Sequence, residues 1–388
     1  MEKQNEKYTK WVSCWGNATS ITDRREAIYA KDLTLRYPIL MPFAGCKLRF
    51  RFSNLTGTEP VIIDKAFVAR DHEGTVTQHT PIMFGGNEQV SISPGKEIES
   101  DETVFQVEAG ETIMVSFYLK GFTQMNAGTL ITGPLSKGQY SYGDFALADR
   151  LPIDLTRHTQ WFYFLNTIDI FTEEQNHAVV CYGDSITAQS WPDWLALQTI
   201  ETGIRDTAII RRAVSGTRIL RQYDCITYQA YGLKGSTRFP IEMNVCGATD
   251  VILQHGINDI IHPVGVEVNP FRPWSDMPTL EDLEQGVENI YVKHARQLGL
   301  KVWSGTLLPI LGWRTYTEER NLLREKFNQW LRTSPLFEGC VDFDKAVRDK
   351  DNVKAFAPGF DSGDHLHPSE AAYQAMARCA LETVIKKK

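Results

Sequence analysis

The sequence contains no apolar run approaching the 18 or so residues of a membrane span, so no membrane partner is expected. It has no Cys-x-x-Cys and no His-Glu-x-x-His. The seven cysteines are odd in number, and Cys181 and Cys246 lie in or beside apolar runs. They read as reduced core residues, which excludes a disulfide framework and leaves no metal site to expect. Basic clusters are absent except at Lys386 to Lys388, which suit the solvated end of a helix. With a net charge of −7 and a pI near 5.8, the chain lacks the positive footprint of a nucleic-acid binder. Its opening stretch, MEKQNEKYTKWVSCWGNATS, has no apolar core of a secretory signal, so a cytoplasmic location is expected. Internal repeats and low-complexity linkers are missing too. What remains is an ordinary globular composition, 42% hydrophobic, 23% charged and 11% aromatic, over 388 residues. That length exceeds the usual single core, and two domains are expected.

The pattern changes character near residue 170. Before it, the period is two. Apolar side chains alternate with charges in Cys46-Lys-Leu-Arg-Phe-Arg-Phe52, and Ile113, Val115, Phe117 and Leu119 alternate likewise. Val90 and Ile92 precede the turn Ser93-Pro94-Gly95. Such runs, punctuated by Gly, Pro, Asn and Asp, predict an antiparallel sandwich of jelly-roll type with no helix between about residues 33 and 150. After residue 175, short apolar runs alternate with helical periodicity. Strands are expected at Ala178–Tyr182, Thr207–Ile210, Asp250–Gln254, Lys301–Thr306 and Cys340–Phe343. Helical faces are read from Leu280 to Leu298, from Leu322 to Leu331 and from Met376 to Val384. Strand–helix alternation implies a parallel sheet in a three-layer α/β domain. The division is placed at residues 1–172 and 173–388, beside the polar stretch Glu173 to Asn176.

Ligands of such sheets collect beyond the carboxyl ends of the strands. There the run AVVCYGDSITAQSW places Ser185 just after a core strand, as a nucleophile or as the cap of the next helix. A nucleophile needs a base, an orienting group and oxyanion donors. Asp364 and His367, three residues apart before the last helix, have the spacing of a carboxylate holding an imidazole tautomer. Alternatively, Asp364 caps that helix and His367 is a surface residue. Asn258, past the third strand, has a carboxamide that can donate to an oxyanion, or it is a turn residue. Gly216, after the second strand, serves a turn or lets its N–H approach a carbonyl. His255 reads as a satisfied histidine at a strand end.

In order, Gly183-Asp184-Ser185-Ile186, the isolated Gly216, Gly256-Ile257-Asn258-Asp259 and Asp364-His365-Leu366-His367 resemble the four sequence blocks of the GDSL or SGNH hydrolases, an esterase superfamily. The resemblance extends over residues 178 to 382, including Thr306-Leu-Leu-Pro309 and Cys340-Val-Asp-Phe-Asp344. It implies Ser185 as nucleophile, His367 as base and Asp364 as its orienter. It also implies an oxyanion hole from the N–H groups of Ser185 and Gly216 and the side chain of Asn258, over a parallel five-stranded sheet. No cofactor is implied. One departure is His365, where a glycine is common; it is expected at the rim or against substrate.

The N-terminal half resembles the β-domain that precedes the hydrolase domain in one subgroup, through Leu48-Arg-Phe-Arg-Phe-Ser-Asn54 and Phe84-Gly-Gly86. Members so built are similar to acetyl xylan and related carbohydrate esterases. Together with Trp191, Trp274 and Trp313, expected near the active-site end of the sheet, this implies a small acylated carbohydrate as partner. The expected reaction is removal of acetyl groups from acetylated xylo-oligosaccharides through an acyl-enzyme. A broad short-chain esterase, a lysophospholipase-type lipase and a non-catalytic carbohydrate-binding protein are the alternatives. A homo-oligomer is compatible with the sequence, which shows no interface.

Overall fold

A computed structural model of the protein describes residues 7–20, 28–72, 75–223 and 233–387. Contacts divide the described residues into two compact units. One holds the chain up to Ala178 with Gly203–Ile210 and Val245–Gly247; the other holds Val179–Thr202, Arg211–Asn244 and the chain from Ala248.

The first unit is a two-sheet antiparallel sandwich. One sheet runs Lys10–Gly16, Leu165–Thr172, Gly45–Ser53 and Thr103–Val107, with Glu97–Glu99 also paired to Gly45–Ser53. The other runs Thr156–Thr159, Gly138–Tyr142, Leu33–Leu40, Thr112–Leu119, Lys65–His72 and Thr75–Pro81. The period-two pattern has its expected cause. Cys46, Leu48, Phe50 and Phe52 are buried while Lys47, Arg49 and Arg51 are half-exposed. Phe52 meets Phe117 of the other sheet edge-on at 5.4 Å, which places the core between the two layers. Between residues 33 and 150 the described residues contain no helix.

From His177 onward the chain forms five further strands: β1 (His177–Gly183), β2 (Thr207–Ala213), β3 (Ala248–Gln254), β4 (Lys301–Gly305) and β5 (Gly339–Val341). They form a parallel sheet in the order 2-1-3-4-5. All five expected strands are present, with ends displaced by up to three residues. In β1, Ala178 through Tyr182 are wholly buried, as parallel strands between helices must be. The order switches direction between β1 and β3, and the crevice beyond that point is where such sheets bind ligands.

One of the helices departs clearly from the apolar pattern. In Glu318–Thr333, capped by Thr317, the inward face includes Asn321, Arg324 and Asn328 beside Phe327 and Leu331, while Leu322 is half exposed. Asn328 accepts the N–H of Leu307 and donates to its carbonyl, both at 2.7 Å, and Arg324 pairs with Asp344 at 2.8 Å. The helix thus satisfies backbone groups just past β4, a role that hydrophobic spacing does not encode.

Candidate active site

At the end of β1, Gly183 is required by space. A Cβ there would stand 2.4 Å from both the Gln254 carbonyl oxygen and Thr187 Oγ1. The buried Arg238 guanidinium donates to the Gly183 carbonyl (2.8 Å) and ion-pairs with Glu242 (3.1 Å), fixing the strand end from below the turn. The next residue, Asp184, is the cap of the short helix Ser185–Ala188, accepting the Ile186 N–H at 3.1 Å. Ser185 is therefore the first helical residue, and its hydroxyl is free for another partner.

That partner is His367. Ser185 Oγ and His367 Nε2 are 2.9 Å apart, and His367 Nδ1 lies 2.6 Å from Asp364 Oδ2. Asp364 Oδ1 accepts the N–H groups of His367 (2.8 Å) and Leu366 (3.0 Å) and the Ser362 hydroxyl (3.2 Å). Partial burial opposes the charge of this carboxyl. The bonds from the His367 ring and from the two N–H groups outweigh it and bring the carboxyl down to about 2. An ionised carboxylate only accepts, so Nδ1 carries the proton and the Nε2 lone pair faces the serine hydroxyl. The final helix, Glu370–Ala380, is capped by Ser369 and not by Asp364. Bonds from Ser369 N–H to the Phe360 carbonyl (2.8 Å) and from Ser362 N–H to the His367 carbonyl (3.0 Å) pin the loop.

Gly216 and Asn258 follow β2 and β3, the two strands that flank β1. Gly216 has φ +78° in the turn from Val214 to Thr217, a left-handed position that glycine adopts freely. Asn258 is buried and gives one amide hydrogen to the Thr217 carbonyl at 3.0 Å. The same carbonyl lies 3.0 Å from His255 Nε2, while His255 Nδ1 meets the Tyr291 hydroxyl at 2.7 Å. Burial, then the nearby Arg238 charge, pulls His255 down to about 3, so it stays neutral and holds structure.

Asp259, named in the sequence only as the last residue of the third block, has a definite task. Its two oxygens accept the consecutive N–H groups of Ile219 (2.8 Å) and Leu220 (3.0 Å). With the two bonds to Thr217, it welds the Gly216 loop to the Asn258 segment. Burial pushes the Asp259 carboxyl up to about 6 despite those donors. The signal available was its place beside Asn258; its partners lie some forty residues away and cannot be read from spacing.

Among the expected substrate contacts, Trp191 is corrected. It is fully buried, its indole N–H donates to Thr187 Oγ1 (3.3 Å), and its ring packs on Phe343 at 5.1 Å. As the first residue of the helix Trp191–Glu201 it turns inward with Pro192 and Leu195, and helical phase rather than distance from Ser185 decides this. Trp274 is half exposed, bonded to Glu267 and lying under the Arg320 guanidinium. Trp313 is half-buried, with the Arg314 guanidinium 4.7 Å from its ring. His365 is half exposed and has φ +65°, the conformation that explains a glycine at this position.

A family model for GDSL-like lipases and acylhydrolases matches residues 181–375, just over half of the chain and every residue of the site above. The chain belongs to this family. As a member of the GDSL-like family it is a carboxylic ester hydrolase. No curated protein matches it. Among solved structures, it is similar to the acetylxylan esterase Axe2 of Geobacillus stearothermophilus, at 15% identity over 53% of this chain and 93% of that one, with a TM-score of 0.40. It is also similar to a family two carbohydrate esterase from Clostridium thermocellum in complex with cellohexaose. That match has 11% identity over 95% and 99% of the two chains and a TM-score of 0.37. A carbohydrate esterase family 3 protein from Talaromyces cellulolyticus is 14% identical over 54% and 97%, with a TM-score of 0.37. Among the described residues, no helix is long and apolar enough to cross a membrane.

Proposed function

We propose that the protein is a serine esterase that removes acetyl groups from carbohydrate, with acetylated xylo-oligosaccharides as its substrate class. The hydrogen-bonded chain from Ser185 Oγ through His367 to Asp364 carries this reading. His367 Nε2 takes the hydroxyl proton as Ser185 attacks the acetyl carbonyl. Asp364, anionic across the working pH range, holds the imidazole tautomer and stabilises the imidazolium that forms. The N–H groups of Ser185 and Gly216 and the carboxamide of Asn258 receive the developing oxyanion. The imidazolium then protonates the leaving sugar oxygen as the acetyl-enzyme forms, and His367 next activates water to release acetate and restore the serine. The sandwich, residues 1–172, and the hydrolase domain, residues 173–388, are proposed as separate folding domains.

His365 and Trp274, the latter beside Glu267 and Arg320, are proposed as rim residues that favour a polar, ring-shaped alcohol over a long acyl chain. The test is acetate release from acetylated xylo-oligosaccharides by the wild type and by Ser185→Ala, with a long-chain ester as comparator. Release should fall more than about 10³-fold in the variant, with little long-chain hydrolysis by the wild type. A variant that keeps its activity would remove Ser185 from the chemistry. Cleavage of long esters alone would leave the serine in place and favour the lipase-type alternative.

A further inference from the structure

Beside the Asp364–His367 pair the loop carries a second aspartate–histidine pair that the reaction above does not use. Asp361 Oδ2 lies 2.5 Å from His365 Nδ1, while Asp361 Oδ1 accepts the N–H groups of Gly363 (2.7 Å) and His365 (3.0 Å). One oxygen therefore suffices to close the turn, and the other is spent on orienting the ring. Two further features accommodate that ring. His365 holds φ +65°, where a glycine would sit without strain. Opposite it is Gly312, at φ +95°, where a Cβ would stand 2.8 Å from His365 Cγ. A left-handed histidine, a dedicated carboxylate and a cleared neighbour together keep one imidazole in one orientation, half exposed to solvent.

The orientation determines what the ring can do. Nδ1–H is committed to the Asp361 carboxylate, so the neutral ring presents Nε2 as a hydrogen-bond acceptor. Two residues of chain span at most about 7 Å, so the His365 backbone stays within that reach of the His367 backbone. An acetyl group offers only acceptor oxygens and a methyl group. A donor for Nε2 has to come from the alcohol side of the ester. We propose that His365, oriented by Asp361 and seated against Gly312, is a specificity-determining residue whose Nε2 accepts a hydrogen bond from a free hydroxyl on the alcohol portion of the ester, selecting partly acetylated polyols and sugars. This rests on the reading of Ser185 and His367 as the ester-cleaving pair.

The experiment compares kcat/KM for two acetate esters of similar size. Mono-acetylated methyl β-xyloside keeps free hydroxyls, and cyclohexyl acetate has none. The wild type should prefer the xyloside, and His365→Gly should lower that preference about tenfold, the worth of one neutral hydrogen bond to a well-placed partner. Glycine accepts the backbone conformation, so the variant keeps the turn. His365→Asn, which also tolerates left-handed backbone and retains an acceptor oxygen, should restore part of the preference. An unaltered ratio in His365→Gly, whether both rates hold or both fall together, would overturn the proposal, as would a wild type that does not discriminate. Loss of cyclohexyl acetate hydrolysis in Ser185→Ala tests the underlying reading separately, because that ester has no hydroxyl for His365 to bind.

Discussion

Asp364, on the loop before the last helix, is part exposed and surrounded by donors, and its carboxyl falls to about 2. Asp184, one residue before Ser185, is wholly buried with Oδ2 unpartnered, and its carboxyl rises to about 7. Asp259, on the neighbouring strand end, resembles Asp184: it is buried and raised to about 6. The same side chain is thus used in opposite ways within one unit. At the strand ends carboxyls are buried to hold backbone N–H groups in place, and desolvation disfavours their charge. On the loop the carboxylate is kept charged, as the proposed role of stabilising a histidine that becomes cationic requires. Position comes from the sheet side and charge from the loop side.

The largest effect that would sharpen this contrast is expected at Asn258. If the strand ends supply preorganised donors, Asn258→Ala should reduce kcat about 10²–10³-fold with little change in KM, measured on an acetate ester in steady state. A variant altered mainly in KM would move Asn258 from the oxyanion to ground-state binding.

A smaller effect, on stability rather than rate, is expected at Asp184. Its folded-state value lies above its ordinary value of 3.8, so in that interval the folded protein keeps a proton that the unfolded chain has released. Stability from this group is full at low pH and is lost as the pH rises toward about 7. Asp184→Asn should therefore flatten the pH dependence of urea unfolding by up to about 1.4 kcal/mol per pH unit. The interval between pH 6 and 7 is the most informative, since Asp259 has already titrated near 6. An equal slope in variant and wild type would mean that Asp184 is charged in the folded state and the contrast with Asp364 is not real.

What the sequence made legible follows from how local each signal is. The alternation of Cys46 to Phe52 and the unbroken run Ala178 to Tyr182 are local consequences of facing one core or two, and both sheets were read from them. The order Ser185, Gly216, Asn258, Asp364 and His367 marks strand ends and a pre-helix loop, so those positions were legible as well. Trp191 was misread because its distance along the chain from Ser185 says nothing of which way a helix turns its first residue. Asp259 and Asp361 escaped because their importance lies in what they bond, Ile219 and Leu220 in one case and an adjacent ring in the other. Arg324 and Asn328 were missed for a related reason: polar residues that satisfy buried backbone groups do not follow the apolar stripe of their helix.

The proposed reaction joins the two sides of the site, a serine from the strand end activated by a base from the loop. Its most direct test is the intact mass and peptide map of the protein after reaction with an organophosphonate. The expected result is a single phosphonyl adduct on Ser185 that is absent from Ser185→Ala. An unlabelled protein, or an adduct on another residue that persists in the variant, would contradict it.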